Sequence, residues 1–283
     1  MVKFHEELLL SVPDISSLPN DAGASNRDTV RVQSRQRIPI ITYHSIDDSG
    51  SVVSTTPGVF RQQMEKLSET GYRTITVGQL TDSLRAGHWP TEKTAILTFD
   101  DGFENFFTEA APILQEFSFT GTVYLVTDHC GRFNDWTGNP PELPRSSLLS
   151  WSQIRELSSL GFEFGSHTVT HPDLTTLDPD AADDEISRSR IAIEDATGKK
   201  VKSFAYPFGR MTGAVRRAVE NLYDSASSTN LGKITERSDL YSLERVDAYY
   251  LSNPRSLERM DTHWMDAYLA IRQALRTVKA AVA

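Results

Sequence analysis

Short apolar runs alternate along most of this chain with segments whose apolar residues recur every three or four positions. Residues 38–43, 72–77, 94–99, 119–126, 161–167, 201–206, 224–228 and 240–244 read as strands. They are brief, rich in β-branched and aromatic residues, and bounded by Gly, Pro or polar turns. Between them lie helical faces: Phe60, Met64 and Leu67 before Gly71, Leu80 and Leu84 before Gly87, then Ala110, Ile113, Leu114 and Phe117. Further faces follow at Trp151, Ile154 and Leu157, at Ala182, Ile186 and Ile193, and at Val215, Val219 and Leu222. Ser150 with Gln153 forms a capping box, and Pro179 behind Asp178 opens a helix. A last helix starts near Thr262, and its stripe of Trp264, Tyr268, Ile271, Leu275 and Val278 is expected to pack on the body of the protein. Strict alternation of strand and helix predicts an α/β fold of βαβ units around a parallel sheet, open or closed into a barrel.

Two stretches break the rhythm. Residues 1–36 are polar and weakly patterned and read as an N-terminal arm or edge extension, leaving 37–283 as a single domain. Residues 128–145 form a long Gly-, Pro- and Asn-rich loop holding Asn134, Asp135 and Trp136. A loop of that length in a compact domain is usually functional or disordered. Trp136 suits a sugar-facing lid and suits equally well a pin that holds the loop down.

Composition narrows the chemistry. A chain of 283 residues can bury a full core. Its formal charge of -9 and lack of a long basic block argue against nucleic acid or an anionic membrane as partner. Cys130 is the only cysteine, which excludes an internal disulfide and a cysteine-based zinc cage, so a transition metal would take His and carboxylate ligands. Leu8, Leu9 and Leu10 are hemmed in by Glu6, Glu7, Pro13 and Asp14, too short a run for a signal peptide, and no stretch approaches the roughly 20 apolar residues of a spanning helix. A cytoplasmic location is the resulting expectation. Oligomeric state is left open.

The run 94–99 stops on Asp100, Asp101 and Gly102. Such a triplet is often only an Asx turn or helix cap. Here, however, His44, His167, Pro207 and Arg245 also follow strand-like runs, and in a parallel barrel all strand ends meet on one face. Side chains alternate along a strand, so Asp100 and Asp101 should point different ways, one free to bind a metal and the other to act as a base. His167 and His171, four apart, would lie on one side of a helical turn and could share a metal. With Asp101 they make a two-His, one-carboxylate set, which leaves positions open for water and substrate. Zinc suits it, as do iron, cobalt, manganese and nickel.

Thr98, Phe99, Asp100 and Asp101, followed by the run from Ser166 to His171, resemble the polysaccharide deacetylase (NodB-homology) family, also called family 4 carbohydrate esterases. The resemblance covers roughly residues 38–250. Tyr43 with His44, the run from Ala205 to Gly209, and Leu243 to Arg245 are similar to features of a bacterial subgroup linked to exopolysaccharide or surface-glycan synthesis. The resemblance implies a distorted (β/α) barrel of about seven parallel strands. It also implies metal-dependent removal of acetyl from an N-acetylated sugar, with one divalent ion, zinc first among the choices.

By the same resemblance Asp101, His167 and His171 would hold the metal and Asp100 would be the general base. The Phe208 backbone N–H would meet the oxyanion, and Tyr206, Pro207 and Trp136 would lie along the substrate. Two features depart from the family pattern. The arginine expected shortly before the proline is missing from 203–207, and Arg245 could take its place from another strand. The late Leu-x-His motif that supplies the general acid has no match, and His44 is the better-placed substitute, or else a partner to the base. Hydrolysis of a small cyclic or linear amide and non-catalytic glycan binding are the alternative readings. The complete Asp-Asp-His-His set speaks against the binder, which has no need of Asp100.

Overall fold

The computed structural model describes residues 37–140 and 142–282. The expected arm at 1–36 lies outside the described residues. The strands are β1 (Ile40–Tyr43), β2 (Ser45–Ile46), β3 (Ser54–Thr55), β4 (Arg73–Ile75), β5 (Thr94–Phe99), β6 (Thr122–Leu125), β7 (Glu163–Ser166), β8 (Ser203–Ala205), β9 (Ser225–Leu231) and β10 (Leu243–Asp247). The helices are α1 (Pro57–Glu69), α2 (Val77–Arg85), α3 (Ala111–Glu116), α4 (Trp151–Ser159), α5 (Pro179–Thr197), α6 (Gly213–Leu222), α7 (Pro254–Glu258) and α8 (His263–Val282).

Seven strands close a parallel barrel in the order β1-β10-β9-β8-β7-β6-β5, with β5 pairing back onto β1. The fold is thus the closed form of the parallel sheet that the pattern left open, and the single (β/α) barrel that the resemblance implied. The distortion sits at β4, which pairs with the first residues of β5 (Arg73 with Thr94, Ile75 with Ile96), while β6 pairs with the last (Thr98 and Phe99). The short strands β2 and β3 form a separate ladder above β1.

Strand alternation sorts the wall. Ile41, Tyr43, Leu97 and Phe99 face outward into the main core beneath the helices. Thr42 and Thr98 lie between them in sequence, and their hydroxyls meet at 3.2 Å. Further round the barrel the Tyr124 hydroxyl meets that of Ser227 at 3.0 Å. The inside of the barrel is therefore partly a hydroxyl network, stable only because each group finds a partner. Gly165 makes room for it: a Cβ there would sit 2.5 Å from the Tyr124 ring.

Helix boundaries follow the caps in the sequence. Ser150 and Gln153 close the expected capping box, Asp178 accepts from the Ala181 amide, and Gly198 ends α5 with φ of 66°. Two expectations change. The last barrel strand starts at Leu243, because Asp239 gathers the amides of Tyr241 and Ser242 into a turn, so Arg245 lies inside β10 and not after a strand. On α8, Met265 and Leu269 are buried, whereas Ile271, Leu275 and Val278 are exposed. The stripe thus packs only over its first turns. Among the described residues no helix is long and apolar enough to cross a membrane.

Candidate metal centre

The centre is built by what happens just past Phe99. The Asp100 amide still donates to the Tyr43 carbonyl at 2.9 Å, as a strand residue would. Asp101 and Gly102 then turn through the left-handed region, with φ of 70° and 74°. Asp is one of the few side chains that tolerates this, and Gly102 has no alternative, since a Cβ would stand 2.8 Å from Leu125 Cδ2. The turn sends the two carboxylates apart.

Asp101 Oδ1 lies 3.5 Å from His167 Nε2 and 3.5 Å from His171 Nε2. The three donor atoms lie within 4.8 Å of one another and all three residues are buried. Ligand bonds of ~2.0–2.2 Å in a tetrahedral set hold donors about 3.3–3.6 Å apart, so both 3.5 Å spacings to Asp101 fit a shared ion. His167 Nδ1 lies 2.7 Å from the Ala205 carbonyl, which can only accept, so Nδ1 carries the proton and Nε2 offers its lone pair. Burial, then the neighbouring His167, keeps His171 neutral well below the usual imidazole range, as a ligand must be. Burial pushes the Asp101 carboxyl up, against the pull of His44 and His167. A buried carboxylate with no guanidinium or ammonium of its own, facing two imidazole lone pairs, is a donor set that suits a divalent cation.

Asp100 is treated differently. Arg245 grips both its oxygens, Nη1 to Oδ1 at 2.7 Å and Nη2 to Oδ2 at 2.8 Å, and both residues are buried. Burial alone would raise the Asp100 carboxyl. The Arg245 charge, helped by His44, overcomes this and holds it well below the usual carboxylate range. Arg245 is itself aimed by the Ser228 carbonyl, which its Nε meets at 2.8 Å. That carbonyl is available because β9 bulges there: Leu243 pairs with Ser227, but Arg245 pairs with Leu231. His44, following β1, brings Nε2 to 3.9 Å from Asp100 Oδ2 and is half-buried.

Several assignments read from the sequence change. Residues 168–171 are not helical: Thr168 and His171 have φ of 73° and 60°, and a loop with two left-handed residues brings the imidazoles together. Trp136 is buried, its ring 4.7 Å from the His171 ring and edge-on to His129, so it pins the loop and walls the metal cluster. Pro207 is buried, while Phe208, half exposed with φ of 58°, sets its ring 4.8 Å from His171. Tyr206 does not join the group. Alternation along β8 turns Phe204 and Tyr206 into the outer core, and the Tyr206 hydroxyl donates to the Tyr241 carbonyl at 3.2 Å.

Two residues that reach into this region gave no sequence signal. Asn105 accepts the Ile46 amide at 3.0 Å and donates to Ser45 at 2.7 Å, tying the loop after β1 to the loop after β5. Glu185, on α5, holds the loop between the two histidines. Asn105 lies just past the acidic pair but carries no chemistry of its own to mark it, and Glu185 sits on α5, a separate element.

Comparison with known proteins agrees with the fold. The family model described as polysaccharide deacetylase matches residues 88–223. YxkH of Bacillus subtilis (strain 168), whose name assigns it provisionally to the polysaccharide deacetylases, is 25% identical over 218 residues, covering 77% of this chain and 73% of YxkH. The poly-beta-1,6-N-acetyl-D-glucosamine N-deacetylase of Escherichia coli (strain K12) is 29% identical over 141 residues, 45% of this chain and only 20% of that longer enzyme. Among solved structures, the Streptococcus pyogenes deacetylase PplD in complex with acetate superposes with a TM-score of 0.70 at 26% identity, covering 80% of this chain and 98% of that one. IcaB from Ammonifex degensii has the same fold, with a TM-score of 0.65 at 23% identity over 81% of this chain and 97% of its own. Through residues 88–223 this chain thus carries a polysaccharide deacetylase domain, on a barrel shared with a solved deacetylase.

Proposed function

We propose that the barrel, residues 37–283, is a metal-dependent carbohydrate N-deacetylase. It would act on N-acetylhexosamine units of a polysaccharide, oligosaccharide or carrier-linked precursor, with one divalent ion, zinc, held by Asp101, His167 and His171. One observation carries the reading. Two carboxylates adjacent in sequence are held in opposite environments, one facing two imidazoles and the other locked to a guanidinium. A structural ion site needs only the first.

When bound, a divalent ion supplies Lewis acidity, polarising an acetyl carbonyl and lowering the pKa of water. The chain's own groups do the rest. Asp100 accepts the proton of the attacking water as general base, and Arg245 keeps it ionised and fixes its angle. Phe208 supplies a backbone N–H to the developing oxyanion from a rigid left-handed turn. His44, beside Asp100 and open to solvent, protonates the departing amine. Pro207 and the Phe208 ring border the acetyl group, with Trp136 holding His171 in place behind them. The solved PplD complex holds acetate, the product this reading assigns here.

The test is acetate release from N-acetylglucosamine oligomers and N-acetylated precursors, with and without a chelator and added zinc. Release that the chelator stops and zinc restores is the expected result. Release indifferent to the chelator would overturn the metal dependence. No release from protein loaded with one ion per chain would overturn the deacetylase reading.

A further inference from the structure

The loop that carries both imidazoles is backbone-strained, and something outside it must hold it in shape. Thr168 and His171 sit in the left-handed region, with φ of 73° and 60°, which is unfavourable for a side chain with a Cβ. Such conformations persist only where the surroundings over-determine them. Within the loop, the Thr168 hydroxyl donates to the His167 carbonyl, and its oxygen accepts the His171 amide at 3.0 Å. From outside, the amides of Thr127 and Asp128 donate to the carbonyls of Thr168 and Val169 at 3.2 and 3.0 Å. The two amides at the apex, those of Val169 and Thr170, point the other way.

Glu185 receives them. Its Oε2 accepts from the Val169 amide at 2.8 Å and from the Thr170 amide at 2.9 Å, and its Oε1 accepts the Thr170 hydroxyl at 2.7 Å. No other side chain of α5 reaches this apex among the described hydrogen bonds. One turn on, Ser189 meets Ser166, the residue before the first histidine, at 2.5 Å. One helix face thus fixes both the start and the middle of the ligand loop. A carboxylate accepting consecutive backbone amides makes charge-assisted bonds, about twice as strong as neutral ones. The i to i+4 spacing of the histidines would not bring them together without this loop shape, since the segment is not a helix.

We infer that Glu185 is a positioning residue for the metal: its carboxylate holds the 168–171 loop in the conformation that aims His167 and His171 at a common ion. The inference rests on the metal-site reading above. It predicts that losing the carboxylate weakens metal binding while the barrel stays folded. Outer partners of metal ligands typically contribute ~10–100-fold to affinity. Cobalt(II) titration followed by its visible absorption measures affinity and ligand geometry together, and zinc competition against a chromophoric chelator gives the second affinity.

In Glu185→Ala, both affinities should fall at least tenfold and the cobalt bands should shift, with the metal-free melting temperature changed by only a few degrees. Asp184→Ala, at the exposed neighbour paired with Arg188, serves as control and should bind as wild type. Wild-type affinity and wild-type cobalt bands in folded Glu185→Ala would overturn the inference. Should the alanine variant fail to fold, Glu185→Gln keeps one acceptor for the amides and loses the charge. It should bind at least threefold more weakly, and wild-type affinity there would equally overturn the inference. Wild-type protein that binds neither ion would instead overturn the metal-site reading itself, so the two failures are distinct.

Discussion

Both ends of the barrel hold a carboxylate among strands, by opposite means. At the amino end, Glu163 on β7 is held only by neutral donors: the Gly78 amide at 2.8 Å, the Ser203 hydroxyl at 3.0 Å and the Thr122 hydroxyl at 3.3 Å. At the carboxyl end, Asp100 is held by a buried guanidinium, and Asp101 is left facing two imidazoles. The backbones differ in the same sense. Of the five non-glycine residues with positive φ among the described residues, Asp101, Thr168, His171 and Phe208 lie at the carboxyl rim. The fifth, Ser118, merely ends α3, where the Phe119 amide returns to the Leu114 carbonyl. Strain and unbalanced charge are concentrated at one end, and the other end satisfies its polar groups with relaxed backbone. Strain gathered in this way marks the end where geometry is held for chemistry.

The sharpest way to break this contrast is to remove a ligand. His167→Ala or His171→Ala should abolish metal retention, a larger effect than the ~10–100-fold that outer partners contribute. Equilibrium dialysis followed by metal analysis measures it. One ion per chain retained by either variant would detach the strained rim from metal binding.

Next in size is the Asp100 pair. Arg245→Ala leaves a buried carboxylate without its partner and should cost about 3–5 kcal/mol in chemical denaturation, together with most of the turnover. Asp100→Asn should keep the metal and the fold and lower kcat by roughly 10²–10⁴, as expected for a general base. An active Asp100→Asn enzyme would remove that residue from the chemistry. At the amino end, Glu163→Gln should cost about 1–2 kcal/mol of stability and leave kcat/KM unchanged. Were Glu163→Gln to lower the rate as far as Asp100→Asn does, the two ends could not be doing different work.

The same contrast explains what the sequence disclosed. The barrel was legible because a strand buried on both faces is a continuous apolar run, and β5 is buried at all six positions. Asp100 and Asp101 were legible because a strand that stops on two acids and a glycine has few reasons to do so. Arg245 was found by elimination, although β10 runs past it and a bulge in β9 aims it. The histidine pair was found with the wrong geometry, because a spacing of four looks the same for a helical turn and for a loop bent twice through the left-handed region. That bend depends on Glu185, some fourteen residues on, which no local pattern connects to it. Tyr206 was misplaced because the alternation of β8 runs one residue past its end, so that Phe204 and Tyr206 share the outer face. Local chemistry was legible and the direction of a side chain across the closed barrel was not.

The smallest effect sharpens the comparison most, because it puts an amino-end type of carboxylate at the carboxyl rim. Asp47 lies beyond β2 and, like Glu163, is held by neutral donors. The Ser45 hydroxyl, the Ser49 amide at 2.8 Å and the Ser54 hydroxyl at 2.6 Å all reach it. Burial alone would raise its carboxyl, but the bonds from Ser45, Ser49 and Ser54 lower it from 3.8 to about 2. A folded-state value below the unfolded one means the ionised form stabilises the fold. That contribution is complete above about pH 4 and fades as pH falls toward 2. Asp47→Asn should therefore lower the denaturation midpoint slightly at pH 5–7, with the gap to wild type closing between about pH 4 and pH 2.5. Turnover near neutral pH should stay within about twofold, since Asp47 braces the loop behind His44 without touching the metal set. A gap that stays constant down to pH 2.5 would show that the serines hold the loop without help from the charge. A large loss of turnover would show instead that carboxylates at this rim serve the chemistry even when neutral groups hold them, and position in the barrel, more than the type of partner, would then decide what such an acid does.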